Sequence, residues 1–536
     1  MCNKGAKVMN FKTKLLSAAV LAAVGATSAQ AVTISNDGLG QVLLYPYYTV
    51  EDGMNTLISV VNTTNYGKAV KVRFLESLNS REVLDFNLYL SPYDVWTGMV
   101  TADAGGGAKV VVTDTSCTAP VISTAIGGTG EQAFFTYGFD GSSGVAADAE
   151  ASRGIARTRE GYIEIIEMGN IDPEYVMTTP KENFLADITH VAGKPKNCAA
   201  VSAEWAGTGF PSNGGGTLTD TLDLAGLTQP TGGLAGTGTL INVAKGTDYT
   251  YDPTPLAGYA VSPNHTTPGS LRPSLADSIP QSTVILVDQT TGLPTVYVDN
   301  WGGGPGSTPW GGVDAVSAAL MRSAVIDEFV VNTAIHAGTD WVVTMPTKRW
   351  YVDYASMFAP DLIVSRGVRP FQSVFGTGGA CETISMMFTN QEEDKKTGTI
   401  GFSPAPLGKS QAICWEANVI TFNNSNVLKS PQTTTSHNVN VGTYPAGWMS
   451  LSFPESSNNA SNLPLDPVGG FGVGVPTGTD AADVRSHQLS DLGTRTYSGL
   501  PVIGFSVQQY VNDVLSGGVL SNYGGNFNHK YQRSIR

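Results

Sequence analysis

Residues 68–92, KAVKVRFLESLNSREVLDFNLYLSP, alternate apolar and polar side chains through two consecutive runs. Val70, Val72 and Phe74 fall on one side of an extended chain, with Lys71 and Arg73 on the other. Leu84, Phe86, Leu88 and Leu90 repeat the pattern against Asp85 and Asn87. A period of two places each set on one face of a pleated strand. The intervening LESLNSR carries the turn residues Asn79 and Ser80. The two runs therefore predict an antiparallel pair with one face on a core and the other in water.

The flanking segments continue the pattern. LISVVNTT (57–64) is a continuous apolar run suited to a strand buried on both sides, and 91–100 turns and starts another. In GQVLLYPYYTV (40–50), Pro46 cannot donate to a ladder, which predicts an edge strand or a break. Further strands are expected at 109–114, 133–139, 161–169, 239–251, 324–332, 340–346, 382–388, 398–404, 412–422, 447–453 and 500–511. Residues 390–398 should form an exposed hairpin tip, and 314–323 the one clear short helix. The expected class is all-β: an immunoglobulin-like β-sandwich or sandwiches, mostly antiparallel, with long Gly/Thr-rich loops and one or two short helices. No fixed-period repeat supports a solenoid or propeller.

Four regions follow from composition: a leader at 1–31, an N-terminal sandwich region at 32–202, a Gly/Thr-rich insertion or set of long loops at 203–280, and a C-terminal β-rich region at 281–536. The last region either stands alone or completes one large sandwich with the first. Lys4, Lys7, Lys12 and Lys14, the apolar stretch 15–26 and Ser28-Ala29-Gln30-Ala31 give the order of a secretory signal peptide, with cleavage expected after Ala31. The apolar stretch falls short of the ~20 residues that span a bilayer as a helix. No later segment is long and apolar enough for a transmembrane helix. The polar, basic NHKYQRSIR ending is unlike the apolar, aromatic-ended strand that usually closes an outer-membrane barrel.

Cys117, Cys198, Cys381 and Cys414 remain after cleavage. An even number in an exported chain points to disulfides, with three pairings formally open. Sequential pairing keeps each bridge within one half of the chain, and no close C-x-x-C spacing argues for a metal. The chain carries 31 basic and 45 acidic residues, and without the leader 27 against 45, a net charge of −18. An acidic surface disfavours nucleic acid and anionic lipid. Charged residues are 14% of the composition, low for a cytosolic enzyme surface and suited to an exported β-protein with uncharged polar loops.

Few residues group in a way that carries chemistry. His190, His265, His336, His437, His487 and His529 are scattered, without an HExxH or an i,i+4 pair, and read as satisfied loop or turn histidines. GKS at 408–410 lacks the phosphate-loop glycine, its place being taken by Ser403, and it does not open a helix. Neither a G-x-S-x-G elbow nor a dinucleotide-binding glycine fingerprint is present. Asp220 with Asp223 and Asp480 with Asp483 match no calcium motif, so no cofactor is expected, Ca²⁺ being the one ion such loops could take. Asp85, Asp94, Glu164 and Glu167 lie on or beside strands, where two of them could serve as acid and base on a glycan. Tyr45, Tyr47, Tyr48, Tyr93 and Trp96 are expected to fill the core and tether its corners. Tyr89, by its parity beside Asp85 and Asn87, is the candidate for surface contact.

The segments 43–96, 339–353 and 499–512 together resemble a group of uncharacterised exported Gram-negative bacterial proteins described only as cell surface proteins. The similarity covers most of the chain apart from the Gly/Thr-rich stretch. It brings no known catalytic or binding residue; what it implies is export and a surface role. The expected function is a non-enzymatic cell-surface or extracellular-matrix structural protein, partnered by copies of itself or by other surface components. An adhesin or glycan-binding module is the alternative, and a secreted β-fold hydrolase a further one.

Overall fold

The computed structural model describes residues 30–142, 147–150, 152–174, 183–206, 226–288, 290–302, 311–353, 369–397, 412–430, 436–457, 485–490, 495–515 and 519–536. The leader up to residue 29, the strand expected at 398–404, the GKS at 408–410 and the aspartates 220, 223, 480 and 483 lie outside the described residues.

The first long sheet runs in the order Thr33–Ile34, Thr254–Ala257, Val42–Thr49, Glu160–Ile171, Gly67–Glu76, Glu82–Leu90, Cys117–Ala119, with Leu227–Thr228 also pairing Glu160–Ile171. A second sheet runs Thr247–Tyr251, Leu234–Asn242, Asn55–Asn62, Val95–Ala102, Ala108–Val111, Glu131–Ala133. Every pairing in both is antiparallel. The Gly/Thr-rich region thus supplies strands to both sheets.

Alternating apolar residues explain how the two layers meet. Val70, Val72, Phe74, Phe86 and Ile165 of the first sheet share one core with Ile58, Val60, Trp96, Val100 and Leu240 of the second. Each such side chain contributes roughly 1.5–3 kcal/mol when fully buried. The hydroxyls of Tyr45 and Tyr48 donate to the carbonyls of Ser59 and Thr158, at 2.6 and 3.1 Å, tethering the core's polar corners.

Two more sheets come from the C-terminal half: Lys395–Thr397, Ser385–Asn390, Ala446–Ser452, Ala324–Val330, Lys530–Gln532, and Ser436–Val439, Ala417–Phe422, Ala337–Thr344, Ile503–Leu515, Val519–Asn528. Ala417–Phe422 and Ser436–Val439 run parallel. Phe329, Trp341, Phe388, Phe422 and Met449 fill the core between these sheets. Val342, Val419, Phe505 and Val507 face the other way and join the N-terminal core. Tyr251 stacks on Phe505 across that junction at 4.6 Å. The exposed tip expected at 390–398 forms over its described residues, 390–397, with Thr389 opposite Lys395.

Six expectations are corrected. The polar face of the 68–90 pair is not in water: Lys71 is 0% exposed and Arg73 2%. Residues 259–280 lie across it and satisfy it. Thr267 O accepts from Lys71 Nζ at 3.0 Å, Thr266 O accepts from Asn87 Nδ2 at 2.8 Å, and Gly269 N–H donates to Asp85 at 2.9 Å. Tyr89 is not a surface contact. It is 0% exposed, and its hydroxyl accepts from Trp205 Nε1 at 2.7 Å and lies 3.0 Å from His265 Nε2. The helix Cys198–Ala206 and the 259–280 cover bring those partners over its ring.

Pro46 neither breaks its strand nor lies at an edge. Val42–Thr49 is continuous, buried, and sits between Thr254–Ala257 and Glu160–Ile171. The register against Glu160–Ile171 shifts between Gly161 and Ile163, and Thr254–Ala257 pairs only as far as Leu44. The missing N–H therefore falls at a bulge, where proline is tolerated. Asn55–Asn62 is not buried on both sides, since Leu57 is exposed while Ile58 and Val60 are buried. The strand expected at 133–139 ends at Ala133.

Four short α-helices, Phe184–Ile188, Cys198–Ala206, Gly311–Leu320 and Arg349–Val352, occur among the described residues against the one or two expected. Disulfides join Cys117 to Cys198 and Cys381 to Cys414. Among the described residues no helix is long and apolar enough to cross a membrane.

Candidate functional site

The first sheet buries ion pairs on both faces: Lys71 and Arg73 form a layer on the covered face, while Lys68 and Glu167, in phase with Val70 and Ile165, meet on the core side. Lys68 Nζ reaches Glu167 and Asn170, both at 2.7 Å, and Lys71 Nζ reaches Asp85 at 2.7 Å. Arg73 divides its guanidinium between Glu82 and Glu164, at 2.7 and 2.5 Å. Arg157 forks onto Glu76 and also binds Asp148 at 2.6 Å. Buried ions are tolerated when every partner is supplied. One guanidinium serving two buried carboxylates leaves one acid in excess. Burial accordingly pushes Glu82 up to about 7 and also raises Glu164, against the pull of Arg73.

At one border this layer opens into a cleft of about 420 Å³, large enough for a small ligand. Its floor is the start of Glu82–Leu90, which presents Glu82 and Asp85. Its first wall is the segment after Ala133. Phe135 N–H donates to Val83 O at 2.8 Å, holding that segment alongside the strand. Gly138 makes the close approach: a Cβ there would lie 2.5 Å from the Glu82 carbonyl oxygen. Phe135 and Tyr137 stack at 4.6 Å and line the cleft, and Tyr137 is 43% exposed. The opposite wall is Pro268–Gly269 and Leu271 of the cover, and Arg349 enters with its guanidinium anchored on Ser80 O at 2.8 Å.

Of the four carboxylates singled out in the sequence, only Asp85 lines this cleft. Glu164 and Glu167 are sealed against Arg73 and Lys68. Asp94 caps Ser91 and lies 3.6 Å from His190. Burial pushes His265 down to about 3 and His437 down to about 4, so both imidazoles stay neutral. His487 meets Glu382 at 3.1 Å, and His529 sits between Asp327 and Val342 O. Among the described residues no group of three His, Cys, Asp or Glu side chains forms a metal site. Tyr93 is exposed, whereas Tyr45, Tyr47, Tyr48 and Trp96 are core.

Glu82, Phe135, Tyr137 and Arg349 went unnoticed in the sequence. They come from three separated segments, and no spacing rule links them. Comparison with known proteins adds nothing to the assignment: no family model, curated protein or solved structure matches the chain.

Proposed function

We propose that the protein is an exported, non-enzymatic surface or extracellular-matrix structural protein. The observation that carries this reading is the pair of disulfides stapling a large β-scaffold, a combination that forms and persists in oxidising compartments. The leader and the resemblance to exported surface proteins point the same way. We read the two packed N-terminal sheets as a sandwich of immunoglobulin-like type, in keeping with their shared core.

Assembly with further copies of the chain is supported by the strand Val519–Asn528. It lies at the end of its sheet and exposes Tyr523 (61%) and Phe527 (44%). Its backbone edge lies against Thr247–Tyr251, with Asn522 Nδ2 donating to Lys245 O at 2.6 Å, so it is the exposed rings of Tyr523 and Phe527 that a second copy would cover.

Cell fractionation combined with thiol labelling of the denatured, unreduced protein tests the reading. The expected result is recovery outside the cytoplasm with no reactive thiol. Cytoplasmic retention with four labelled cysteines would overturn it.

A further inference from the structure

The cleft's electrostatics restrict what it can hold. Asp85 is paired with Lys71, Glu82 shares Arg73, and Glu131 at the rim meets Lys109 at 2.7 Å. A cationic ligand would compete with Lys71, Arg73 or Lys109 for these carboxylates, and an anionic one would lie against their negative charge. A neutral ligand does neither. Asp85 Oδ2 already accepts from Lys71 and Gly269, and Glu82 Oε2 from Arg73. The second oxygen of each side chain accepts no hydrogen bond from the described residues, leaving on the floor Asp85 Oδ1 as an acceptor and Glu82 Oε1 as an acceptor when ionised or a donor when protonated. Gln132 and Arg349, on the walls, belong to donor-bearing types.

The Phe135–Tyr137 stack supplies the complementary element. An aromatic face beside a row of hydrogen-bonding groups matches a pyranose ring, which has an apolar C–H face and an equatorial belt of hydroxyls. Hydroxyl donors to carboxylate oxygens form charge-assisted bonds, roughly twice as strong as neutral ones. The cleft volume accommodates one or two such rings.

We propose that this cleft is a binding site for a neutral carbohydrate, stacked on Tyr137 and hydrogen-bonded through Glu82 and Asp85. The site is independent of where the protein resides. It would add glycan recognition to a structural role.

Saturation-transfer NMR on the full exported chain tests this. The probes are glucose, galactose, mannose, N-acetylglucosamine and their β-linked disaccharides, with glucuronic acid and glucosamine as charged counterparts. At least one neutral sugar should saturate the signal and bind about tenfold more tightly than its charged counterpart. Tyr137→Ala should weaken it by about tenfold, while Tyr137→Phe, which keeps the ring, should retain it. Tyr137 is exposed enough for both variants to fold, and an unchanged melting temperature verifies this. Any of three results would overturn the proposal: no neutral sugar binds, charged sugars bind as tightly, or Tyr137→Ala leaves affinity untouched.

Discussion

Glu160 shows how one buried side chain makes the whole molecule sensitive to pH. It begins the Glu160–Ile171 strand and is 1% exposed, with Ser430 of the C-terminal half donating to its Oε2 at 3.0 Å. Burial is the largest influence and pushes the carboxyl from an ordinary 4.5 up to about 8. The native state therefore holds this proton more tightly than the unfolded chain does. The stability it contributes is complete below about pH 4.5 and is lost as pH rises toward 8. Asp340, buried and pushed up to about 7, acts in the same direction over a window starting near 3.8. Glu160→Gln should leave the melting temperature at pH 4.5 nearly unchanged and raise it at pH 8, where the cost of the buried charge reaches a few kcal/mol. Calorimetric scans at the two pH values check this. An equal loss at both would mean that the residue acts through shape rather than through its proton.

The 67–90 hairpin is one of the elements that join the molecule's halves. Its tip, residues 76–81, is fully buried. Leu78 enters the C-terminal core with Val313 and Trp415, and the carbonyls of Ser77 and Leu78 accept from Ala417 and Glu416 N–H groups, at 3.0 and 3.3 Å. Glu76 folds back to accept the N–H groups of Leu78, Asn79 and Arg81, closing the turn internally, while Asn79 binds Asp353 at 2.9 Å. Leu78→Ala should cost about 2–5 kcal/mol, lowering the urea midpoint with little change of slope. Arg157→Ala strands Glu76 and Asp148 without their shared cation, at a cost of about 3–5 kcal/mol. Losses below 1 kcal/mol in both variants would show that the tip is a loose contact. The strands themselves were legible, because Val70, Val72 and Phe74 obey a local period that the backbone enforces. Their surroundings were not. Parity assigns Lys71 and Tyr89 to a second face, but whether water or residues 259–280 occupy that face is decided some 180 residues downstream. The same distance hid the cleft, whose Asp85 was visible but whose Tyr137 and Arg349 had no local mark.

On the scale of the whole molecule, the disulfides are unequal in the work they do. Cys117–Cys198 closes 81 residues and Cys381–Cys414 closes 33. In the chain-entropy description these loops correspond to roughly 4–5 and roughly 3–4 kcal/mol of stabilisation. The first also has a positional role. It fastens the helix Cys198–Ala206 to the edge strand Cys117–Ala119, where Ala69, Tyr89, Met168, Phe184 and Val201 form a separate small core. Small cores of this kind open before the main body does. Replacing Cys117 and Cys198 by serine should therefore do more than lower the global midpoint. Hydrogen exchange at the amides of 198–206 and of 117–119 should accelerate well ahead of the Val70–Phe74 amides, which lie in the middle of the sheet. The Cys381/Cys414 double serine variant should lower the midpoint by less and leave exchange at 198–206 unchanged. If both variants accelerate exchange uniformly across the sheets, the bridges act only on the unfolded chain, and the local cover over Tyr89 stands without its staple.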